Sequence, residues 1–368
     1  MEIGSIIEFD SVEKYENSVK PFFSLPFMDE SNFRWNINLY ETGRNAIEDL
    51  GIYLRVKKGI SNIAIPDYVC HTVTDSLKRS GLSYVRYHIQ KGLRYDISEI
   101  EKLTKDGIQC IYIVHYFGKK LPKDILKQLN NLKIQGITII EDVTLSLLSN
   151  DKDGIGFGDY VIGSLRKWFP IPDGGILLTS KEHELPIIPH ASGVSKYAYY
   201  YLIAQQWKRQ YVTNGYKNKE NKRIFLDYYS KAMKDLFEDY TIRPITEISK
   251  RYLEQCDFIQ IAKQRAKNYD ILYSRLSTIP CLNLLVERNK NYVPLGMVIL
   301  SDNRDKLLMY LIQNGIYCNV HWRLGEEVSG YCRELSRRAI TIPCDQRYNA
   351  KEMNYIADKI EEWFNVYL

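Results

Sequence analysis

The sequence predicts an α/β fold: a mostly parallel central sheet with helices on both faces, plus a smaller C-terminal α+β lobe. Three observations carry that prediction. Between residues 62 and 141, short apolar runs alternate with amphipathic stretches at the pace of strand, helix, strand. The runs 110–117 (CIYIVHYF) and 137–141 (ITIIE) are nearly continuous in apolar character, as in strands buried on both faces. Beyond residue 241 the pattern changes to charged helices and shorter strands, which divides the chain into 1–240 and 241–368.

Residues 1–35 show no strong period, but 21–27 (PFFSLPF) is an apolar segment expected to pack on another lobe or a partner subunit. Residues 41–55 read as a turn entering a helix, with Ala46, Ile47, Leu50 and Leu54 on one face. A strand at 62–65 ends at Pro66, and a helix at 72–80 stops at Gly81. Next come a strand at 84–89, a helix at 97–103 and the buried strand 110–117, which ends at Gly118. A helix at 122–132 has proline at its favoured first position, and 137–141 is again a buried strand. Two more strands, 160–162 and 176–179, flank the segment Gly163-Ser164-Leu165-Arg166-Lys167-Trp168, with Gly174-Gly175 behind it.

The alternation then lapses. Residues 186–189 form a loop, and 197–210 (YAYYYLIAQQWKRQ) form a helix that either packs on the core or walls a substrate cavity or dimer contact. The basic cluster 217–223 (KNKENKR) reads as a solvated loop, and 225–238 as a second helix. One long helix is expected over 247–278, with Ile248, Tyr252, Cys256, Ile259 and Ala262 on its apolar stripe. Strands at 282–286 and 293–299, a helix at 304–315 closed by Gly315, a strand at 316–322 and an amphipathic helix at 350–366 complete the chain.

Composition excludes several classes. A net charge of +5 over 368 residues gives no footprint for nucleic acid. No apolar run reaches membrane-spanning length, and the N-terminus lacks a basic n-region and an apolar h-region, so a cytoplasmic protein is expected. The seven cysteines are scattered singly, with no C-x-x-C pair, and the six histidines add no ligand-like spacing; neither a disulfide framework nor a metal site is expected.

The chemistry gathers at the ends of strands and the start of a helix, where open α/β sheets place ligands. A lysine at the end of an interior strand, such as Lys167, is costly to bury as an ammonium. A Schiff base to pyridoxal phosphate (PLP) removes that charge and gives the residue a purpose. Thr42-Gly43-Arg44-Asn45 at a helix start offers free N–H groups to an anion. Asp142, at the end of its strand, either holds a pyridine nitrogen protonated or caps the next helix. Ser164 stands three residues before Lys167, where its hydroxyl can bond a phosphate. This S-x-x-K pattern also occurs in β-lactamases, but their S-D-N and K-T-G partners are missing here. In Pro66-Asp67-Tyr68-Val69-Cys70-His71-Thr72, Cys70 and His71 are the groups that can lie over a flat ring, unless Cys70 packs as a small hydrophobe.

Taken in order, these segments resemble the DegT/StrS family of sugar aminotransferases, which are fold type I PLP enzymes. Thr42-Gly43-Arg44-Asn45-Ala46-Ile47 is similar to the family's S-G-[TS]-x-A-L, and Glu141-Asp142-Val143-Thr144 to its E-D strand end. Ile155-Gly156-Phe157-Gly158-Asp159 is similar to V-G-x-F-G-D, Lys167 with Gly174-Gly175 to the lysine segment, and Ile340-Thr341-Ile342-Pro343-Cys344-Asp345 to the family's L-S-L-P segment. The resemblance implies a PLP-binding large domain in 1–240 and a small domain in 241–368. It implies that Lys167 forms the Schiff base and moves the proton, and that Asp142 pairs with the pyridinium. It also implies that Gly43, Arg44 and Ser164 hold the phosphate; Thr42, Cys70 and His71 complete the candidate cofactor-binding set. The implied reaction moves an amino group from an amino acid, typically glutamate or glutamine, to a nucleotide-linked keto-sugar, in a homodimer with active sites at its interface.

Some positions depart from the family. Leu145 stands where Gln or His usually bonds the cofactor's 3′-oxygen, and Cys70 stands where an aromatic residue often stacks. The segment Arg243-Pro244-Ile245-Thr246 lacks the asparagine that reaches a partner's phosphate. Trp322 and Arg323 are further candidates for substrate contact. The departures keep open a PLP-dependent sugar dehydratase or deaminase, and a non-catalytic PLP-fold regulatory protein.

Overall fold

The computed structural model describes residues 1–9, 25, 26, 28, 35–149, 154–180, 183–189, 191, 193–288 and 293–367. The apolar segment 21–27 lies outside these residues apart from Leu25 and Pro26.

The chain starts with β1 (Ile3–Gly4) and β2 (Trp35–Tyr40), followed by α1 (Gly43–Lys58), β3 (Asn62–Pro66), α2 (His71–Arg79) and β4 (Ser83–Tyr87). A small hairpin of β5 (Ile89–Gln90) and β6 (Arg94–Tyr95) precedes α3 (Ile97–Lys105), β7 (Cys110–Val114), α4 (Lys123–Ile134) and β8 (Thr138–Asp142). Then come β9 (Tyr160–Ser164), a single 3₁₀ turn Leu165–Lys167, β10 (Gly175–Ser180), α5 (Lys196–Thr213) and α6 (Lys219–Glu238). The last third holds α7 (Glu247–Gln255), α8 (Phe258–Leu276), β11 (Asn283–Leu284), β12 (Gly296–Leu300), α9 (Arg304–Gln313), β13 (Ile316–Tyr317), α10 (Gly330–Arg338), β14 (Ala339–Pro343) and α11 (Ala350–Tyr367).

The main sheet has seven strands in the order β2-β10-β9-β8-β7-β3-β4. β4, β3, β7, β8 and β9 run parallel, whereas β10 and β2 are antiparallel to their neighbours. Every residue of β7 is buried, which accounts for its unbroken apolar run. A smaller antiparallel sheet, β11-β12-β14, forms the core of the C-terminal lobe with α8 and α11 over it. The first residues return to that lobe: β1 pairs in parallel with β13.

The two lobes are pinned together by buried polar groups. Asp67, at the end of β3, accepts from the Ile89 N–H at 3.0 Å, the Ser329 N–H at 3.0 Å and the Cys332 thiol at 3.0 Å. Asp173 accepts from the Thr246 N–H at 2.7 Å and its hydroxyl at 2.6 Å, anchoring the start of α7. Removing either carboxylate strands several buried donors, each costing about 1–3 kcal/mol.

Several expectations need correction. The single helix over 247–278 is two helices, broken at Cys256-Asp257, because Asp257 caps α8 by accepting from the Gln260 N–H. Its proposed stripe breaks too, since Ile259 is 59% exposed. The basic cluster 217–223 is mostly the first turn of α6, capped by Asn218. The strand over 316–322 is only β13 plus an isolated bridge at Asn319, and Pro122 caps α4 from outside it. Strand β2 had no sequence signal of its own; its residues are half-buried, apart from Tyr40, with β10 alongside.

Gly175 shows how closely the sheet packs against the start of α1. It pairs with Tyr40 on one side and Ser164 on the other. A Cβ there would stand 2.2 Å from the Thr42 carbonyl oxygen and 2.6 Å from the Gly43 nitrogen. Gly175→Ala is therefore expected to destabilise the fold by about 1–3 kcal/mol through forced displacement of the α1 start. Urea unfolding of the variant beside the wild type measures this.

Candidate active site

The site is built where β8, β9 and α1 converge. Thr42 caps α1: its hydroxyl accepts from the Asn45 N–H at 3.1 Å and its carbonyl from the Ala46 N–H at 3.2 Å. The N–H groups of Gly43 and Arg44 are left as orphan donors of the first turn, and the helix dipole makes that end attractive to anions. Ser164, at the end of β9, sits against this turn: a Cβ on Gly43 would lie 3.5 Å from the Ser164 Cβ. Both line an open cavity of about 220 Å³.

Asp142 and Lys167 open onto the same cavity. The Asp142 carboxylate is buried and accepts from the Tyr112 hydroxyl and the Thr144 N–H, both at 2.8 Å. Asp142 thus receives the Thr144 N–H as a turn cap does, and it also lines the cavity. Lys167 ends the 3₁₀ turn. Burial pulls its ammonium below the usual lysine range, with the Arg166 charge adding to that and Cys70 and Asp142 opposing it.

The residue after Lys167 is clamped on three sides. Trp168 is fully buried and its indole N–H donates to the Thr144 carbonyl at 2.8 Å. The Arg265 guanidinium lies 4.5 Å from its ring centroid, and the Gln346 amide donates to its carbonyl at 2.7 Å. Arg265 in turn donates to Gln346 at 2.7 Å. Thr144 therefore links the Asp142 turn to the Lys167 turn, and the C-terminal lobe braces both.

The walls are mostly apolar: Ile47, Val73, Val114, Leu145 and Ile162 face the cavity, with Met233 and Phe237 from α6. Leu145 is buried and brings no polar atom to this space. Cys70 lines the cavity at the start of α2, where its sulfur accepts from the Thr72 hydroxyl at 3.1 Å. His71 does not reach it: as the first residue of α2 it is exposed to solvent, so its expected place beside a ring is not borne by the geometry. The Arg44 side chain lies against the α6 wall of the cavity, donating to the Leu236 carbonyl with its guanidinium 5.2 Å from the Phe237 ring. Trp322 lines the cavity, whereas Arg323 is exposed and lies 3.7 Å from Asp305.

A ring bearing a phosphate and an aldehyde fits this set. Donors cluster at the Gly43–Ser164 end, apolar groups make up most of the walls, and one carboxylate, Asp142, and one buried lysine, Lys167, face the same space. Glu41 is the one discordant charge near the donors. Burial pushes its carboxyl up to about 7, against a Ser195 hydrogen bond and the Arg243 guanidinium 3.9 Å away. Below that value it is neutral and leaves the anion undisturbed; above it a carboxylate stands beside the cradle. Sulfate, which does not titrate here, should therefore protect the fold from heat better at about pH 6 than at about pH 8. Glu41→Gln should flatten that difference.

Among the described residues no cluster of His, Cys, Asp and Glu could hold a metal ion, and no helix is long and apolar enough to cross a membrane.

The sequence matches no family model and no curated protein. The fold has relatives among solved structures. Helicobacter pylori PseC, an aminotransferase involved in the biosynthesis of pseudoaminic acid, is similar with a TM-score of 0.67 and 15% identity over 100% of both chains. The E. coli GDP-4-keto-6-deoxy-D-mannose-3-dehydratase with bound hydrated PLP has a TM-score of 0.62 and 16% identity, over 96% of this chain and 92% of that one. A DegT DnrJ EryC1 StrS aminotransferase from Brucella abortus has a TM-score of 0.59 and 12% identity, over 89% of this chain and 86% of that one. The chain thus has the α/β fold of the fold type I PLP-dependent enzymes. Within that class its fold is shared by DegT/StrS-type aminotransferases and by a sugar dehydratase. At these identities the fold carries over, and the reaction has to be argued from the site.

Proposed function

We propose that the chain is a PLP-dependent aminotransferase that moves an amino group from an amino acid, glutamate first, to a nucleotide-linked keto-sugar. Polysaccharide or secondary-metabolite biosynthesis is the setting that such a product fits. The observation that supports this best is the meeting of Lys167, Asp142 and the α1 start in one cavity.

Bound PLP supplies an electron sink for a carbanion at the substrate carbon. The chain's own residues do the rest. The Gly43 and Arg44 N–H groups, with the Ser164 hydroxyl, hold the phosphate, while the Thr42 hydroxyl, donating to Asn45 Oδ1 at 3.0 Å, fixes the helix start that presents them. Asp142, held by Tyr112 and Thr144, keeps the proton on the pyridine nitrogen. Lys167, favoured in its neutral form by burial, makes the covalent attachment and later takes and returns the proton at the substrate carbon. Cys70 and Leu145 supply apolar contact to the ring in place of a stacked aromatic and a polar side chain. We read the working assembly as a cytoplasmic homodimer.

The test is a visible absorption spectrum with PLP, then with L-glutamate. A band that appears with PLP and bleaches with glutamate supports amino transfer. A band that ignores every amino donor but responds to a keto-sugar moves the reading to a dehydratase or deaminase, the activity of one fold relative. A band that responds to neither leaves a regulatory PLP-binding protein.

A further inference from the structure

Lys167 and Arg166 line both the cavity at the α1 start and a second one of about 280 Å³. The second cavity is walled by the N-terminal segment at Gly4 and Ile6, by Tyr201 of α5 and Tyr229 of α6, and by His321 and Asn319 of the C-terminal lobe. Its ionisable groups are lopsided: Arg166, Lys167, Arg265 and Arg347 against Asp345 alone. His321 adds no charge, because burial and the neighbouring Lys167 hold its imidazole down to about 3.

Two of these cations are already engaged. Arg347 pairs with Asp345 at 2.7 Å and with Glu8 at 3.0 Å. Arg265 is spent on Trp168, Gln346 and the Leu295 carbonyl. Arg166 is different. Its Nη1 donates to the Tyr201 hydroxyl at 3.1 Å, and its guanidinium lies 5.0 Å from the Tyr201 ring centroid. Among the described residues no carboxylate lies within ion-pair distance of it. A largely buried guanidinium with most of its donors unused calls for an anion.

We infer that Arg166 is the seat for the α-carboxylate of the amino-acid donor, and of the 2-oxo acid it leaves behind. This rests on the amino-transfer reading. The alternative anion is the diphosphate of a nucleotide-linked sugar. Position favours the carboxylate. Arg166 is the chain neighbour of Lys167, and an α-carboxylate is one carbon removed from the amino group on which Lys167 acts. A diphosphate is separated from the reacting keto carbon by the sugar ring. The planar fork also matches a carboxylate with two parallel hydrogen bonds. The aromatic run of α5, read from the sequence as a packed helix or a cavity wall, is both: Tyr201 is buried and faces this space.

The test is calorimetric titration of the cofactor-free full chain with 2-oxoglutarate and, separately, with pyrophosphate. The wild type should take up 2-oxoglutarate, and Arg166→Gln should weaken it about 10- to 100-fold with pyrophosphate unchanged. Arg166→Lys keeps the buried charge without the fork and should fall between the two, guarding against a folding defect. In the PLP-loaded protein Arg166→Gln should raise KM for L-glutamate far more than it lowers kcat. Equal 2-oxoglutarate affinity in wild type and Arg166→Gln overturns the inference, as does a wild type that takes up none. A loss confined to pyrophosphate assigns Arg166 to the diphosphate instead. Failure of PLP to attach, with 2-oxoglutarate uptake intact, counts against the amino-transfer reading and not against the carboxylate seat.

Discussion

Lys167→Ala is expected to fold, to lose its covalent hold on PLP, and to lose turnover by roughly 10²- to 10⁴-fold or more. The fold should survive because the brace acts on the neighbour: Trp168 keeps its bond to the Thr144 carbonyl, its Arg265 contact and its Gln346 bond without the lysine side chain. Removing an amine whose charged form is already disfavoured should even relieve a cost of burial. Circular dichroism melts and steady-state rates of the variant, set beside the wild type, measure both halves. An unfolded variant would mean that Lys167 supports the structure, and unchanged turnover would remove it from the reaction.

Asp142→Asn should keep PLP attached yet lower turnover by about 10²- to 10³-fold, the scale for losing one preorganised electrostatic partner. Asparagine's carbonyl oxygen can still accept from the Thr144 N–H, and its amide NH2, in place of the other carboxylate oxygen, can donate to the Tyr112 hydroxyl, so local structure should hold. What it cannot do is balance a proton on the ring nitrogen. Asp142→Ala strands both donors as well, adding a stability cost of about 1–3 kcal/mol per buried group. Tyr112→Phe separates the effects: it keeps the carboxylate and removes one of its supports, so its rate loss should be smaller than that of Asp142→Asn. A rate loss of equal size in both would locate the effect in the support and not in the charge.

The parts of this site that were legible in the sequence share one property: their meaning is local. Asp142 ends an apolar strand, Thr42-Gly43 opens a helix, and Lys167 follows one strand and precedes a glycine pair, all within short windows. β7 and β8 announced themselves because strands buried on both faces need unbroken apolar runs. The rest depends on contacts between distant segments. Arg265 reads in sequence as one more charge on a helix, and only the fold lays it against Trp168, 97 residues away. Tyr112 reads as an apolar strand residue until its hydroxyl meets Asp142. Phe237 and Met233 reach the cavity only because the end of α6 comes back to the start of α1, where Arg44 donates to the Leu236 carbonyl. His71 fails for the same reason in reverse: it sits at the right position in the chain, but the first turn of α2 carries its side chain to solvent.

The most direct measurement is borohydride reduction of the protein mixed with PLP, followed by peptide mapping by mass spectrometry. The account predicts a single pyridoxyl group on the peptide that carries Lys167, absent from Lys167→Ala. A label on Lys208, a second buried lysine whose pKa burial brings down to about 7, or no label at all, would contradict it.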